Sequence, residues 1–228
     1  VNNKLVTGDD TVKLIDFLRD ELRLTSVKNG CGQGARGACS VLVDGKVMRA
    51  CVMPLSKFAG KNVVTVEGLS IREKDVYAFA FAAAGAVQCG FCIPGMVISA
   101  KGLLDVTPDP SGEEIKKALR GNICRCTGYV KIEEAILLAA KLLREGTPVP
   151  KREFTGLLGE DFHRVDAAAK TLGTGLYVDD IEVEGMLHAS AVRPPKPRMR
   201  VLKIDTEEAK AHPDCVAVFT EKDVPGNN

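Results

Sequence analysis

In this chain of 228 residues, the positions of the eight cysteines constrain the possible fold and chemistry more than any other feature. Seven of them fall between positions 31 and 126 in two groups, namely Cys31, Cys39 and Cys51, then Cys89-x-x-Cys92 with Cys124-x-Cys126. In a reducing compartment, clustered thiols indicate metal or redox chemistry rather than disulfides. Cys215 stands apart beside an apolar run and is interpreted as a small core residue.

The second group predicts a metal centre at one end of a helical segment. Four thiolates from two loops can enclose a dinuclear iron centre, and a helix that begins near Cys92 would stabilise the anionic cluster electrostatically. A structural zinc site is an open alternative, although zinc sites more often combine two Cys-x-x-Cys motifs. A redox-active dithiol would leave Cys124-x-Cys126 unexplained.

The first group resembles a plant-type cluster motif that lacks one ligand. Cys31, Cys39 and Cys51 occupy three of the places in the pattern Cys-x₄-Cys-x₂-Cys with a distant fourth cysteine, and Arg36 occupies the other. Arginine cannot replace a thiolate because its guanidinium is cationic and only donates hydrogen bonds. We expect a bound but perturbed cluster, with a labile or absent cluster, a fourth ligand from elsewhere or an altered sequence as alternatives.

The same glycine-rich stretch matches the dinucleotide fingerprint G-x-G-x-x-G at positions 32–37. That fingerprint must follow a strand and open a helix, whereas this one follows a helix-loop segment and enters a hairpin. Nucleotide binding is therefore not expected.

Hydrophobic periodicity divides the chain into segments. Residues 1–70 suggest a small α+β unit with a helix over 11–22, strands at Ser40–Val43 and 47–52 around an Asp44-Gly45 turn, and a strand at 63–66. Residues 71–146 are helical in pattern, over 76–87, 94–104, 115–119 after a Ser111/Glu114 capping box, and 131–144. A linker over 147–162 precedes strand-like stretches at 176–178, 187–192 and 216–220.

Charge and hydropathy narrow the classes of partner. The formal net charge is +1, with no polybasic stretch, so neither nucleic acid nor an anionic membrane surface is expected as a partner. No apolar run reaches the roughly 20 residues of a membrane-spanning helix, and no signal peptide is visible at the N-terminus. We expect a cytoplasmic protein.

Two long motifs carry a resemblance to the molybdenum hydroxylases, the family of xanthine dehydrogenase and aldehyde oxidoreductase. They are Gln88-Cys-Gly-Phe-Cys-Ile-Pro-Gly-Met96 and Gly121-Asn-Ile-Cys-Arg-Cys-Thr-Gly-Tyr129. Residues 26–43 resemble the ferredoxin domain of the family except at Arg36, and residues 164–170, 175–180 and 186–189 resemble the opening of its molybdenum-binding part. The layout is most similar to the bacterial selenium-dependent xanthine dehydrogenase-like proteins, and next to single-chain aldehyde oxidoreductases.

The resemblance implies an α+β fold class with three successive parts. These are a β-grasp plant-type ferredoxin-like domain at 1–70, a four-helix-bundle 2Fe–2S domain at 71–146, and, after the linker at 147–162, the start of an α+β molybdopterin-binding domain at 163–228. It further implies a fragment or one subunit of a split enzyme, because the substrate and base residues of the family would lie beyond Asn228.

The implied function is electron transfer from a molybdenum centre, which hydroxylates a purine-like heterocycle or an aldehyde, through 2Fe–2S clusters to a flavin or another acceptor. The implied metal ligands are Cys31, Cys39, Cys51, Cys89, Cys92, Cys124 and Cys126. Gln88 and Cys126 would lie beside the pterin of the molybdenum cofactor, and no catalytic residue is expected in this chain. The implied partners are the remainder of the molybdenum-binding domain, a flavin subunit or other acceptor, and a second copy of the enzyme. A zinc-stabilised interaction module, or the same fold with only the helical-domain cluster, is the alternative.

Overall fold

A computed structural model describes residues 1–151, 155–160 and 162–226. The chain forms two compact units, Val1–Ile181 and Glu182–Asn228. Residues 152–154 and 161 of the predicted linker, and the last two residues of the predicted molybdenum-binding segment, lie outside the described residues.

The first unit begins with a short helix and a three-stranded antiparallel sheet. Helix α1 (Leu14–Asp16) continues into a π-helical turn, Phe17–Glu21, so the predicted helix is confirmed but is shorter and partly π-helical. The sheet order is β2-β1-β3, and its strands are β1 (Ser40–Val43), β2 (Lys46–Arg49) and β3 (Val63–Val64). The predicted hairpin is confirmed, while β2 and β3 end earlier than predicted.

The hairpin turn explains why this part of the sheet is predictable from local sequence. Asp44 and Gly45 both have positive φ, at 47° and 78°. A two-residue turn of this kind matches the right-handed twist of its flanking strands, and Asp-Gly tolerates the required backbone conformation. The turn fixes the register in which Val43 pairs with Lys46.

Strand β1 belongs to two hydrophobic cores at once. All four of its residues are buried, and successive side chains of a strand point to opposite faces. Val41 and Val43 join the core of the N-terminal part, whereas Leu42 joins the core of the helices that follow. The sheet is thereby covered on both faces along its central strand.

The second core is formed by five helices of the same unit, together with Leu42 of β1. Helices α2 (Ile71–Ala83) and α4 (Gly112–Ala118) each begin with a complete capping box, Ser70 with Glu73 and Ser111 with Glu114. The others are α3 (Ile93–Leu104), α5 (Val130–Glu145) and α6 (Ala167–Leu172). The predicted capping box at Ser111 is confirmed, but α2 starts earlier than predicted and α6 was not predicted. No helix in the described part of the chain is both long and apolar enough to cross a membrane.

The strand predictions after position 175 are wrong. Val178–Asp180 is a 3₁₀ turn, and residues 187–192 and 216–220 form no strand; the regular elements of Glu182–Asn228 that the structure describes are α7 (Glu207–Ala211) and a 3₁₀ turn. Apolar residues of these two predicted strands, such as Leu187 and Phe219, are exposed. A strand needs a neighbour to accept and donate its backbone hydrogen bonds, and the described residues of this unit supply none.

Helix α3 contacts the N-terminal part through a face of small residues, Gly95, Ser99 and Gly102. A Cβ atom added to Gly95 would lie 2.4 Å from the carbonyl oxygen of Gly37, and one added to Gly102 would lie 2.8 Å from Val47. These positions are three or four residues apart and therefore share one side of the helix. The absence of a side chain at Gly95 lets the backbone of the cysteine-bearing loop approach α3 directly, and its absence at Gly102 makes room for the side chains of Val47 and Leu42.

We predict that Gly95→Ala lowers the free energy of unfolding by about 2 kcal/mol, because the new methyl group overlaps backbone atoms that cannot rotate away. In an open helix the same change stabilises by up to about 1 kcal/mol. Gly112→Ala is the matched control, since a Cβ atom at this first residue of α4 meets no atom within 4 Å. Urea denaturation followed by circular dichroism should place the two variants on opposite sides of the wild type, and equal midpoints would contradict the prediction.

Candidate functional site

Two loops of the first unit bring four cysteine thiols together at the start of α3. Cys89 and Cys92 lie on the loop before α3, and Cys124 and Cys126 on the loop before α5. The Cys92 thiol lies beside that of Cys124, and the Cys89 thiol beside that of Cys126, so the thiols form two contacting pairs. Cys92 and Cys124 are buried and are called the inner pair here, whereas Cys89 and Cys126 are exposed and form the outer pair.

Burial and hydrogen bonding act differently on the two members of the inner pair. Burial, followed by the neighbouring thiols of Cys124 and Cys89, raises the pKa of Cys92. Burial also raises the pKa of Cys124, but the Thr127 hydroxyl and the backbone N–H groups of Cys126 and Thr127 lower it below its usual value. The N–H and hydroxyl donors around Cys124 therefore favour a thiolate at that position.

The outer pair is more open to solvent. The backbone N–H of Cys89 lowers the pKa of Cys126, but the contact with the Cys89 thiol, burial and the nearby Cys89 and Cys124 thiols together outweigh this and leave that pKa raised. Gln88, the predicted pterin neighbour, is exposed and directly precedes Cys89. The outer pair and Gln88 thus lie at the surface of the unit.

Tyr129 and α3 hold the two loops in place. The Tyr129 hydroxyl accepts a hydrogen bond from the backbone N–H of Cys124 at 2.9 Å and donates to the carbonyl oxygen of Asn122 at 3.3 Å. Cys92 is the N-cap of α3, and Pro94 lies in the first turn, where a missing N–H costs nothing. The predicted helix start at this site is confirmed.

Cys31, Cys39 and Cys51 lie in the N-terminal part, around the glycine-rich loop. Cys39 and Cys51 are buried next to each other in its core, and burial followed by contact with Cys51 raises the pKa of Cys39 to about 11. The backbone N–H of Gly34 donates to Cys51 Sγ at 3.2 Å. Three further backbone N–H groups, those of residues 33, 35 and 36, point at Cys31 and lower its pKa.

Three glycines give this loop its shape. Gly32, Gly34 and Gly37 have φ values of 63°, 75° and 68°, a region that is unfavourable for residues with a Cβ atom. The resulting turns direct four backbone N–H groups at two sulfur atoms, as the hydrogen bonds above show. Backbone donors of this kind stabilise sulfur ligands of iron–sulfur clusters.

Arg36 takes part in this loop through its backbone while its side chain points away from the core. The guanidinium is exposed and donates to the carbonyl oxygen of Gly30 at 3.0 Å. The positive charge of Arg36 also lowers the pKa of Cys31, after the larger effect of the backbone N–H groups. The loop therefore holds three thiols and a cation where a plant-type motif has four thiols.

The two cysteine loops are hydrogen-bonded to each other. The backbone N–H of Ile123 donates to the carbonyl oxygen of Arg36 at 3.0 Å, and the side-chain amide of Asn122 donates to that of Gly37 at 3.1 Å. Ser99 on α3 donates to the other side of the Asn122 amide at 2.7 Å. The loop that carries Cys124 thus lies directly against the loop that carries Cys31 and Cys39.

The arrangement of the outer and inner pairs bears on which metal the residues could hold. A structural zinc ion takes four ligands around one centre. The two contacting thiol pairs also fit a dinuclear iron cluster, in which each metal atom would take two thiolates, and such a cluster would supply one-electron chemistry when bound.

Three residues near the outer pair were missed by the sequence reasoning. Tyr177 donates to the carbonyl oxygen of Cys89 at 3.0 Å, and the ammonium groups of Lys28 and Lys170 lie 5.3 and 4.2 Å from the centre of its ring. Lys170 and Tyr177 occur in stretches that resemble the family, but no spacing in the sequence places them against Cys89. Lys28 also lies in such a stretch, residues 26–43, and again no spacing places it beside Tyr177.

Two parts of the chain match known protein families. Residues 65–137 match the family described as the 2Fe–2S binding domain, and residues 172–228 match the a/b hammerhead domain of aldehyde oxidase and xanthine dehydrogenase.

Curated proteins of the same kind are similar in sequence. The aldehyde oxidoreductase of Megalodesulfovibrio gigas is 40% identical over 232 residues, which cover 96% of this chain and 26% of that protein. The nicotinate dehydrogenase small FeS subunit of Eubacterium barkeri is 45% identical over 137 residues, 60% of this chain and 87% of the relative. This chain thus spans about a quarter of the aldehyde oxidoreductase and most of the small subunit.

Solved structures agree with these matches. The aldehyde oxidoreductase from Desulfovibrio gigas superposes with a TM-score of 0.69 at 39% identity, covering 78% of this chain and 20% of that one. Quinoline 2-oxidoreductase from Pseudomonas putida 86 gives a TM-score of 0.57 at 40% identity, covering 61% of this chain and 88% of that one. With the paired thiols, these likenesses show that the chain belongs to the molybdenum hydroxylase family and is its iron–sulfur, electron-transfer part.

Proposed function

We propose that Cys89, Cys92, Cys124 and Cys126 bind a 2Fe–2S cluster that receives electrons from a molybdenum centre in the remainder of the enzyme. The observation that carries the proposal is the meeting of two thiol pairs at the N-terminus of α3. An anionic cluster is favoured there by the partial positive charge of the helix start. In this proposal Cys92 and Cys124 would bind one iron, and Cys89 and Cys126 would bind the other.

The difference in burial within the four thiols gives the proposed cluster two unequal sides. The outer pair and Gln88 are exposed, so they are available to face a cofactor held by another part of the enzyme. Gln88 has both donor and acceptor atoms and suits the ring edge of a pterin. We therefore assign Gln88 and Cys126 as pterin neighbours and the outer pair as the side at which electrons enter.

The second site fits a cluster incompletely. Cys31, Cys39 and Cys51 supply three thiolates, and the four backbone N–H groups directed at Cys31 and Cys51 are what a bound cluster would require. Arg36 supplies no fourth ligand. We propose that this site retains a 2Fe–2S cluster in a perturbed, labile form.

The proposed domain boundaries follow from this assignment. They are a β-grasp plant-type ferredoxin-like domain at 1–70, a four-helix-bundle cluster domain at 71–146, a linker at 147–162, and the start of an α+β molybdopterin-binding domain at 163–228. The packing of α2, α3, α4 and α5 around one core supports the second of these.

The complete enzyme is proposed to be a hydroxylase of the xanthine dehydrogenase or aldehyde oxidoreductase type. Its partners would be the remainder of the molybdenum-binding domain, on the same chain or a separate subunit, a flavin subunit or other electron acceptor, and a second copy of the enzyme. One relative is named as an aldehyde oxidoreductase and another as a small FeS subunit. These names support either alternative, an iron–sulfur part on the same chain as the molybdenum-binding domain or on a separate subunit. This chain alone is not expected to hydroxylate a substrate.

Iron and acid-labile sulfide per chain, measured after oxygen-free purification, test the first proposal. We expect at least about two irons and two sulfides and an EPR signal after dithionite reduction. Cys124→Ala should abolish the signal of the helical-domain cluster and lower the iron content by about two per chain, because it removes a thiolate of the inner pair. Cys215→Ala is the control and should leave iron, sulfide and signal unchanged. Stoichiometric zinc without iron would refute the electron-transfer assignment and favour an interaction module.

Arg36→Cys tests the second site. A fourth thiolate at this position should hold the cluster that the wild type loses during purification, because the remaining ligands and N–H donors are already in place. The iron content should rise to about four per chain, and the EPR signal of the second cluster should become sharper. Lys117→Cys, which adds a thiol on the exposed face of α4, is the control for adventitious iron. An iron content that stays at about two in Arg36→Cys would show that the site has lost more than one ligand.

A further inference from the structure

The segment from α6 to Asp180 lies against the loop that carries Cys89 and Cys92, although it follows that loop by about 80 residues in sequence. Helix α6 packs on α2 and α3, within the first compact unit. The segment Ala167–Asp180 is called the strap below. Its contacts with the cluster loop involve an aromatic ring and a buried cation.

Tyr177 covers the cluster loop. Its hydroxyl donates to the carbonyl oxygen of Cys89 at 3.0 Å, and its ring meets that of Phe91 edge to face, with centroids 5.6 Å apart. The peptide between the two cysteines of the loop is therefore held on one side by a hydrogen bond and on the other by an aromatic contact. Both contacts fix the position of the loop that carries Cys89.

Lys170 brings a positive charge to the same place. Its side chain is 8% exposed, and its ammonium group lies 4.2 Å from the centre of the Tyr177 ring. Its aliphatic stem packs on Gly90, where an added Cβ atom would lie 2.6 Å from Lys170 Cβ. Asp166 is its carboxylate neighbour at 3.7 Å and is itself partly exposed and paired with Arg164.

Lys28 supplies a second buried cation from the N-terminal part. Its side chain is 5% exposed, and its ammonium group donates to the carbonyl oxygen of Gly173 at 3.1 Å. The ammonium group also lies 5.3 Å from the centre of the Tyr177 ring. Burial, followed by the nearby charge of Arg19, lowers the pKa of Lys28, as expected for an ammonium group removed from water.

Two buried ammonium groups on one aromatic ring are costly to place and repel each other. Cation–π contacts and the Gly173 carbonyl offset part of that cost. Apolar side chains at positions 28 and 170 could fill the same space without this cost, so packing alone does not explain the two lysines. A charge in a buried position is weakly screened and acts on any nearby group whose charge changes.

We propose that Lys170 and Lys28, held by Tyr177 of the strap, raise the reduction potential of the cluster at Cys89, Cys92, Cys124 and Cys126. Reduction adds one electron to the cluster and makes it more negative, so a fixed positive charge beside the Cys89 loop favours the reduced form. Both are positioning residues: Lys170 packs on the loop at Gly90, and Lys28 lies against the Tyr177 ring that covers the loop. The inference rests on the proposed function, because it requires the cluster to be bound.

The test is an EPR-monitored redox titration of the oxygen-free full chain, with iron and sulfide measured on each sample. Lys170→Met and Lys28→Met keep a long side chain and remove the charge. At the wild-type midpoint, we expect each to lower the ratio of reduced to oxidised cluster by roughly tenfold, the effect of a charge about 10 Å away at an effective dielectric constant of about 20. Lys170→Arg retains the charge and should keep the wild-type midpoint.

Lys116→Met is the matched control, since Lys116 is exposed and paired with Glu113 on α4. Its midpoint should equal that of the wild type. An unchanged midpoint in both Lys170→Met and Lys28→Met, with full iron content, would overturn the inference and leave the proposed function standing. Absence of iron and of the EPR signal from the wild type would instead refute the proposed function.

Loss of iron from a variant also decides the question. If Lys170→Met loses its cluster, the test rests on the midpoint potential of Lys28→Met. A lowered midpoint in Lys28→Met would support the inference, and an unchanged midpoint would oppose it. If both methionine variants lose iron, retention of iron with the wild-type midpoint in Lys170→Arg supports a requirement for charge. Loss of iron from Lys170→Arg as well would show that position 170 serves packing, and would overturn the inference.

Discussion

The two cysteine loops meet backbone to backbone, and the arrangement of the first unit depends on that contact. Gly37 and Gly95 lack side chains where the chains come closest, and an added Cβ atom on Gly37 would lie 2.2 Å from the carbonyl oxygen of Gly121. Asn122 completes the contact by donating to Gly37 and accepting from Ser99. Because Asn122 is 4% exposed, each of these hydrogen bonds is made without competition from bulk water.

This contact explains how Arg36 is accommodated without disturbing the loop. Its carbonyl oxygen accepts from Ile123, a role that any residue can fill, while its side chain reaches solvent and Gly30. A change from cysteine to arginine at such a position would remove one sulfur atom and leave the backbone path intact. The proposed consequence is confined to the binding of the second cluster, and the proposed helical-domain site is left with all its thiols.

Sequence reasoning predicted the elements that are encoded locally. The Asp44-Gly45 turn, the Ser111/Glu114 capping box and the helix start after Cys92 each depend on residues within a few positions of one another. The Cys-x-x-Cys and Cys-x-Cys motifs gave the proposed ligand set for the same reason.

Contacts between distant segments could not be predicted in this way. Asn122 and Gly37 are 85 residues apart, and backbone groups carry no residue-specific signal that would pair them. Residues 176–178 of the strap were wrongly predicted as a strand because their apolar side chains fit a strand pattern. In the structure Tyr177 contacts the Cys89 loop through its hydroxyl group and its ring. A periodic pattern reports which residues are apolar, and tertiary packing decides what they contact.

The unequal burial of the two thiol pairs gives the proposed electron path a direction. Cys126 and Cys89 are open to the surface, where another part of the enzyme can approach. Cys124 is buried, and the residue before it is hydrogen-bonded to Arg36 in the loop of the second site. Electrons that enter at the outer pair would therefore pass the inner pair and then reach the site of Cys31, Cys39 and Cys51. The two sites are connected through the hydrogen bond between Ile123 and Arg36. The buried cations Lys28 and Lys170 contact Tyr177 near this entry side. By raising the reduction potential of the helical-domain cluster, they would favour electron transfer to it from the molybdenum centre.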